Sequence, residues 1–425
     1  MKERMTRSGR IPLKVVGKAR TAALLDEAAS ELNSRGVSQA SLAAIAERLG
    51  ITRAALYYYV KDQEDLVFQC YRRACETMAR RLSTARKASE DALEILHTFV
   101  GEMLAPDQPE IAALWELGYL TGERREIIDG LLDGIVAQLV QILEKGISDS
   151  AIRPCEPVHV AWILLGIISW PSLLKRSGPE FDEAIARPLA PKINDLLTWG
   201  VADDRRQPPQ IDIKPLPIAT LRASDIFTSE HVAEAKRESL LAAGSRLFNR
   251  KGIDATSLDD IAGSVGVSKA VIYHNIGDKQ AFVLECFHRS YRLFIGMSEA
   301  MDADPASRLE AAASVLHQTC RLYLDASGPL VIPMVGFEAL PHDTGTRLQQ
   351  LARELGNIWE KTLKSGVAEH SFREIDINLV VAVTSAYIQW NTKWNFERNA
   401  LVADELATEM VNLWCLGLAP CGKVR

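Results

Sequence analysis

The 425-residue chain shows no sustained polar–apolar alternation, so nothing in it signals half-buried strands. No apolar run approaches the roughly 20 residues of a membrane span; the candidate from Val158 to Trp170 stops well short and reads as a buried helix. The N-terminus lacks the apolar centre of a secretory signal, so a cytoplasmic location and no membrane association are expected. Seven cysteines form no C-x-x-C pair and no metal-ligand spacing, which suits a reducing compartment and assigns no metal site. There is no H-E-x-x-H, no G-x-S-x-G and no phosphate-cradling glycine loop. Lone acids and histidines fall at no diagnostic spacing. No catalytic residue and no cofactor are therefore assigned, and an enzyme is not expected. Strong positive charge is missing too: the formal net charge of −6 argues against unselective coating of nucleic acid, while leaving room for local basic patches.

What is present is helical pattern. Hydrophobic content of 47% and charged content of 24% are those of a globular protein, and the length predicts more than one domain. In SLAAIAERLGITRAALYYYV, from Ser41 to Val60, Leu42, Ile45, Ala46 and Leu49 share one buried helix face behind an N-cap at Ser41. Gly50 permits a sharp turn, Thr52 caps a second helix, and Leu56 and Val60 lie on its inner side. This is the layout of a helix-turn-helix whose second helix offers its N-terminal residues, Arg53 first, to the major groove. The stretch recurs without a gap at an offset of 216 (257 minus 41) as SLDDIAGSVGVSKAVIYHNI. Behind it, an offset of 220 (317 minus 97) carries His97 to His317, Leu143 and Gly146 to Leu363 and Gly366, Arg153 to Arg373 and Trp170 to Trp390. The duplication runs the whole length.

At Ile45-Ala46, Gly50-Ile51-Thr52 and Leu56 to Val60, and at Ile261-Ala262, Gly266-Val267-Ser268, Ile272 to Ile276 and Lys279, the chain resembles the tetracycline-repressor (TetR) family of bacterial regulators. The resemblance implies an all-α fold of two tandem units, each a helix-turn-helix DNA-binding domain followed by a helical ligand-binding and dimerisation domain. It implies phosphate contacts from Ser41, Thr52, Tyr58, Tyr59 and Lys61, and from Thr256, Ser257, Ser268, His274, Asn275 and Lys279. Base contacts would fall on Arg53, Ala54, Ala55 and Tyr57, and on Lys269, Ala270, Val271 and Tyr273. Tyr57 and Tyr273 also fit a reading as core residues. Arg53 suits bidentate binding of guanine, whereas Lys269 offers a point charge, so unlike preferences are expected. The chain departs from the family pattern at Gln63, where a lysine is expected, and at Gly277, which stands where the first copy has Lys61.

The expected layout is a basic arm at 1–20, a first helix-turn-helix domain at 21–66 and a helical sensing and dimerisation domain at 67–201. An extended proline-bearing linker follows at 202–230, then a second head at 231–282 and a second sensing domain at 283–425. By the resemblance, segments 156–175 with 182–200, and 376–397 with 401–418, build a four-helix interface. If the two back domains pair within one chain, the polypeptide is an internal pseudo-dimer and its double-stranded operator has two dissimilar half-sites; the alternative is a homodimer of chains. The resemblance further implies a repressor released by a small apolar or amphipathic effector of unknown identity. His97, Met103, Trp115, Tyr119, His317, Tyr323, Phe337 and Tyr387 are candidates to line its cavities, each with plain helix packing as the competing reading. The rival function is an interaction or sensor protein in which only one head binds DNA. Cys70 and Cys286, matched by the repeat, fit either helix packing or redox sensing.

Overall fold

The computed structural model describes residues 13–37, 39–106, 108–174, 188–213, 229–253, 255–302, 307–324, 342–394 and 400–421. All named elements among them are helical, and an isolated antiparallel bridge joins Ala202 to Phe372. No helix among them is long and apolar enough to cross a membrane.

The first unit opens with α1 (Leu13–Arg35), followed by α2 (Leu42–Arg48) and α3 (Arg53–Leu56). Helix α1 begins well before the expected Thr21, so the part of the basic arm from 13 to 20 is helix; residues 1–12 lie outside the described residues. The long α4 (Gln63–Ala88) starts at an Asp62 N-cap with Glu64 and Asp65 in its first turn, as the helix dipole favours. Then come α5 (Ala92–Met103), a 3₁₀ turn at Leu117–Tyr119, α6 (Gly122–Ser148), α7 (Pro157–Ser169), α8 (Pro171–Leu174) and α9 (Leu189–Trp199). The second unit repeats the series with α10 (Ser229–Lys251), α11 (Leu258–Val265), α12 (Lys269–Asn275), α13 (Lys279–Asp302), α14 (Arg308–Leu324), α15 (His342–Ala368), α16 (Ile377–Trp394) and α17 (Ala400–Leu416).

The units meet through their last helices. Helix α7 packs on α16 and α17, and α9 packs on α17; α7 is buried almost all round, which is why its sequence is apolar without a polar face. Past these helices the chain ends cross over. Val201 and Ala202 donate backbone hydrogen bonds to the carbonyls of Trp414 and Cys415, both at 2.9 Å, while Leu418 and Ala419 donate to Leu197 and Thr198 at 2.8 and 2.9 Å. Each bond is the image of its counterpart at an offset of 217 (417 minus 200). Arg153 N bonds Leu418 O at 2.8 Å, and its repeat Arg373 N bonds Val201 O at 3.0 Å. Side chains follow the same pattern: Arg153 Nε donates to Gly417 O and Arg373 Nε to Gly200 O, both at 2.6 Å. Arg153 also pairs with buried Glu409 at 2.9 Å, whose carboxyl burial holds above its ordinary value of 4.5 despite that arginine. The repeat has thus become an approximate two-fold within one polypeptide, the isologous geometry of a symmetric dimer.

This corrects the expected linker at its start. Val201 and Ala202 are core residues, and Arg205 is buried, donating to the Leu416 and Ala419 carbonyls and lying 5.0 Å over the Trp199 ring. Residues 214–228 lie outside the described residues. One hydrophobic core runs from Leu24 of the first head through the junction to Leu418, whereas the second head has a smaller core of its own around Ile261, Ile272, Phe282 and Phe287.

Candidate nucleic-acid interface

In the first head the turn forms as its residues dictate. Ser41 Oγ accepts from Ala44 N at 3.2 Å, Gly50 takes φ of 64°, and Thr52 Oγ1 accepts from Ala55 N at 3.1 Å. Ile45, Ala46 and Leu56 are buried and fix the crossing of α2 and α3. Arg48 locks this pair to α1 through Glu27 and buried Glu31, at 2.8 and 2.7 Å. Helix α3 ends at Leu56, sooner than the pattern predicts, and Tyr57, Tyr58 and Tyr59 form the turn after it. Tyr58 is 90% exposed and Tyr57 45%, which removes the reading of Tyr57 as core. Arg53, Ala54 and Lys61 are exposed and Ala55 and Tyr59 half-buried; Arg53 Nη2 donates weakly to Tyr57 Oη at 3.4 Å. Gln63, the departure from the family lysine, donates to the Val37 carbonyl at 2.5 Å, tying α4 to the turn after α1.

The second head is built alike but charged differently. Ser257 and Asp260 form a capping box, Gly266 takes φ of 71° in the left-handed region, and α12 runs a turn longer than α3. Lys269, Ala270, Tyr273 and His274 are exposed, Tyr273 at 51%, so this tyrosine is no core residue either. Lys269 Nζ is bound to Asp259 Oδ2 at 2.9 Å and lies 5.9 Å over the Tyr273 ring. The Asp259 hydrogen bond holds its ammonium above the ordinary 10.5. Ser268 is exposed, Val271 half-buried, and Asn275 folds its amide back onto Val271 O at 2.7 Å. Lys279 is half-buried at the start of α13. Thr256 is a correction: it is fully buried, its hydroxyl donating to Gly252 O at 2.8 Å, so its side chain holds the α10–α11 turn and not a phosphate.

The expected effector residues that are described each make packing or hydrogen-bond contacts. His97 Nε2 lies 2.7 Å from Thr198 Oγ1, and the one hydroxyl proton of Thr198 goes to Asn194 O at 2.6 Å. Nε2 therefore carries the imidazole proton and donates. Met103 is buried with its sulfur 3.8 Å from Arg81 Nη1, and Trp115 stacks at a tilt on Trp170, centroids 6.4 Å apart. Tyr119 is half-buried in the turn facing Glu64. His317 Nε2 reaches Thr408 Oγ1 at 3.3 Å, and buried Tyr323 packs on Phe294. Phe337 and the side chain of Tyr387 lie outside the described residues. A small cleft of about 10 Å³, room for one water, is lined instead by Ser298, Ala311, Ala312, Val315, Ile358, Trp359 and Thr362 of the second unit. Ser298 Oγ, His317 Nδ1 and Tyr323 Oη are buried without a hydrogen-bond partner among the described residues. In the first unit, Leu82 and Ile142 occupy the places of Ser298 and Thr362 and are buried. The signal was in the repeat: a polar residue in one copy where the other keeps an apolar one. Cys70 and Cys286 are buried, and desolvation pushes both thiols up to about 12, which favours packing over redox sensing. Among the described residues no cluster of three metal-ligating side chains occurs.

Comparison with known proteins bears on both units. Residues 24–70 and 240–286 each match the family described as bacterial regulatory proteins, tetR family, and residues 302–418 match the tetracyclin repressor-like C-terminal domain. The chain belongs to the TetR family. It is a DNA-binding regulator of that family and not an enzyme. The relatives that follow each cover less than half of this chain. The HTH-type transcriptional repressor KstR2 of Rhodococcus jostii is 25% identical over 199 residues, covering 43% of this chain and 91% of the relative. KstR2 of Mycolicibacterium smegmatis is 24% identical over 194 residues, covering 41% of this chain and 86% of the relative. Among solved structures, the TetR family regulator PfmR from Thermus thermophilus is 24% identical, covering 42% of this chain and 95% of its own, with a TM-score of 0.35.

Proposed function

We propose that one polypeptide is a complete operator-binding unit, a repressor whose two unlike heads read two dissimilar half-sites of duplex DNA. The observation that carries this reading is the crossed backbone ladder between 197–202 and 414–419, which joins the two units as the subunits of a symmetric dimer are joined. With the dimerisation helices paired inside one chain, an operator read by both heads mirrors the chain's approximate, and not exact, two-fold. Release by a small apolar or amphipathic effector is part of the proposal. The unpartnered hydroxyl of Ser298 at the cleft of the second unit supports it, because a ligand with a hydrogen-bonding end would satisfy it. A second reading, in which the first head does most of the binding, is favoured by the Lys269–Asp259 ion pair, since Arg53 has no acid at the matching Ala43.

The test is selection of bound duplexes from a random pool by the full-length chain, repeated with Arg53→Ala. Two unlike half-sites at fixed spacing are expected, with base preference relaxed in one of them by the substitution. A palindrome, or equal relaxation of both half-sites, contradicts the proposal.

A further inference from the structure

The two heads differ most in charge on the surface they share by repeat. At the matched positions the first head has Ala43, Arg53 and Lys61, all exposed, and the second has Asp259, Lys269 and Gly277. These three positions carry two positive charges in one head and cancel in the other, while Lys279 of the second head stands where the first has uncharged Gln63. The Asp259 side chain is 68% exposed and that of Lys269 43%, so the pair lies on the surface and not in the core. Asp260 beside it is already engaged, capping α11 through Ser257 at 2.7 to 2.9 Å and lying 3.6 Å from Lys251. Asp259 caps nothing, and its carboxylate accepts from Lys269.

An exposed ion pair is weak by itself, but DNA changes its surroundings. For Lys269 to reach a phosphate or a base, its bond to Asp259 must open, which leaves a bare carboxylate within a Debye length of the phosphate backbone. If the pair stays closed, Lys269 neutralises Asp259 and releases no counterion. Either way Lys269 forfeits the electrostatic gain that Arg53 brings to the first head.

We propose that Asp259 is a specificity determinant that holds the second head in a weak-binding state by occupying Lys269, leaving the first head to anchor the protein on DNA. The proposal rests on the two-headed reading above. It makes the second head a discriminator: it adds affinity only where the DNA offers contacts other than a lysine-bound phosphate, so sites that fit both heads are separated from sites that fit one.

The experiment measures binding of the full-length chain to its selected duplex across a salt series, with Arg53→Ala, Asp259→Ala, Asp259→Asn, Lys269→Ala and the Asp259→Ala/Lys269→Ala double variant. Both Asp259 substitutions should tighten binding, by roughly eightfold at about 0.1 M salt, and steepen the slope of log affinity against log salt by about 0.9, the worth of one added phosphate contact. Lys269→Ala alone should weaken binding, because it leaves the Asp259 carboxylate bare, though by less than Arg53→Ala, and it should erase the gain in the double variant, which is the signature of coupling. Unchanged melting temperatures show that the variants fold. The proposal is overturned if removing Asp259 leaves binding unchanged or weakens it, as when the carboxylate accepts from a cytosine amino group, or if Lys269→Ala weakens binding as much as Arg53→Ala. Loss of any effect from Arg53→Ala refutes the DNA-reading role itself and is a separate outcome.

Discussion

Single residues divide the chain into positions that the pattern fully determines and positions that only packing decides. Ser41, Thr52 and Ser257 stand one residue ahead of a helix, and the caps they make with their side chains follow from local geometry alone. Thr256, adjacent to Ser257, turns inward because the α10–α11 turn needs a hydroxyl for Gly252 O, a demand that no spacing announces. The Lys269–Asp259 pair was equally hidden: ten residues separate the two, and their meeting depends on how α11 and α12 cross. The histidines matched by the repeat carry a prediction at this scale. Burial, the leading cause at each, holds His97 and His317 below the ordinary 6.5, against the raising influence of Asp91 and Glu94 at the first and Asp404 at the second. Between that lowered value and 6.5 the unfolded chain binds more protons than the folded one. Their contribution is therefore whole above 6.5 and is lost as pH falls below it. The melting temperature should drop between about pH 7.5 and 5.5, and a His97→Gln/His317→Gln variant should drop less over the same interval. An identical pH dependence in that variant would show that the two imidazoles are not the groups responsible.

At the scale of elements, the repeated helix pattern carried most of the fold into view. Helix α2 falls where apolar periodicity predicts it, α7 where the apolar run does, α11 where the repeat does, and α17 where the resemblance places it. The misses have physical causes. Helix α3 stops after Leu56, and the two exposed tyrosines and half-buried Tyr59 that follow form a turn. The linker from 202 reads as an extended segment, but Ala202, next to Val201, is drawn into backbone pairing with the far unit. That pairing depends on Gly200 and Gly417. Both have φ near +64° (63° and 65°), and a Cβ would lie 2.2 Å from Cys415 O at the first and 2.4 Å from Thr198 O at the second. Strain in the left-handed region and collision with backbone act together. Gly417→Ala should destabilise the protein by about 2 kcal/mol or more, read as a lower denaturant midpoint. Gly134→Ala, in open space on α6, should leave it unchanged or raise it by up to about 1 kcal/mol. Equal midpoints for the two would mean that the crossed ends do not hold the units together.

In the whole molecule, the two units of the repeat meet within one chain, and the copies have diverged. The junction keeps the symmetry: Arg153 and Arg373, Gly200 and Gly417, and the two pairs of backbone bonds beyond them repeat each other closely. The working ends do not. The first head presents Arg53 with no acid at the matching Ala43, while the second presents a neutralised lysine; the first unit's core is filled with Leu82 and Ile142, while the second keeps polar groups there. Contact is also lopsided, since the end of α10 rests on the first unit's 3₁₀ turn, where Gly118 admits the Arg250 carbonyl. The repeat was plain in the sequence, and so was the chance of internal pairing. Which residues pair across the junction was not, because strand-like contacts made by helix ends leave no period to read. The mass of the complex between the full-length chain and its selected duplex, measured under native conditions, addresses the central claim most directly. One 46.9 kDa chain per duplex occupying both half-sites is the predicted result; two chains on a palindromic duplex, one head of each engaged, would contradict it.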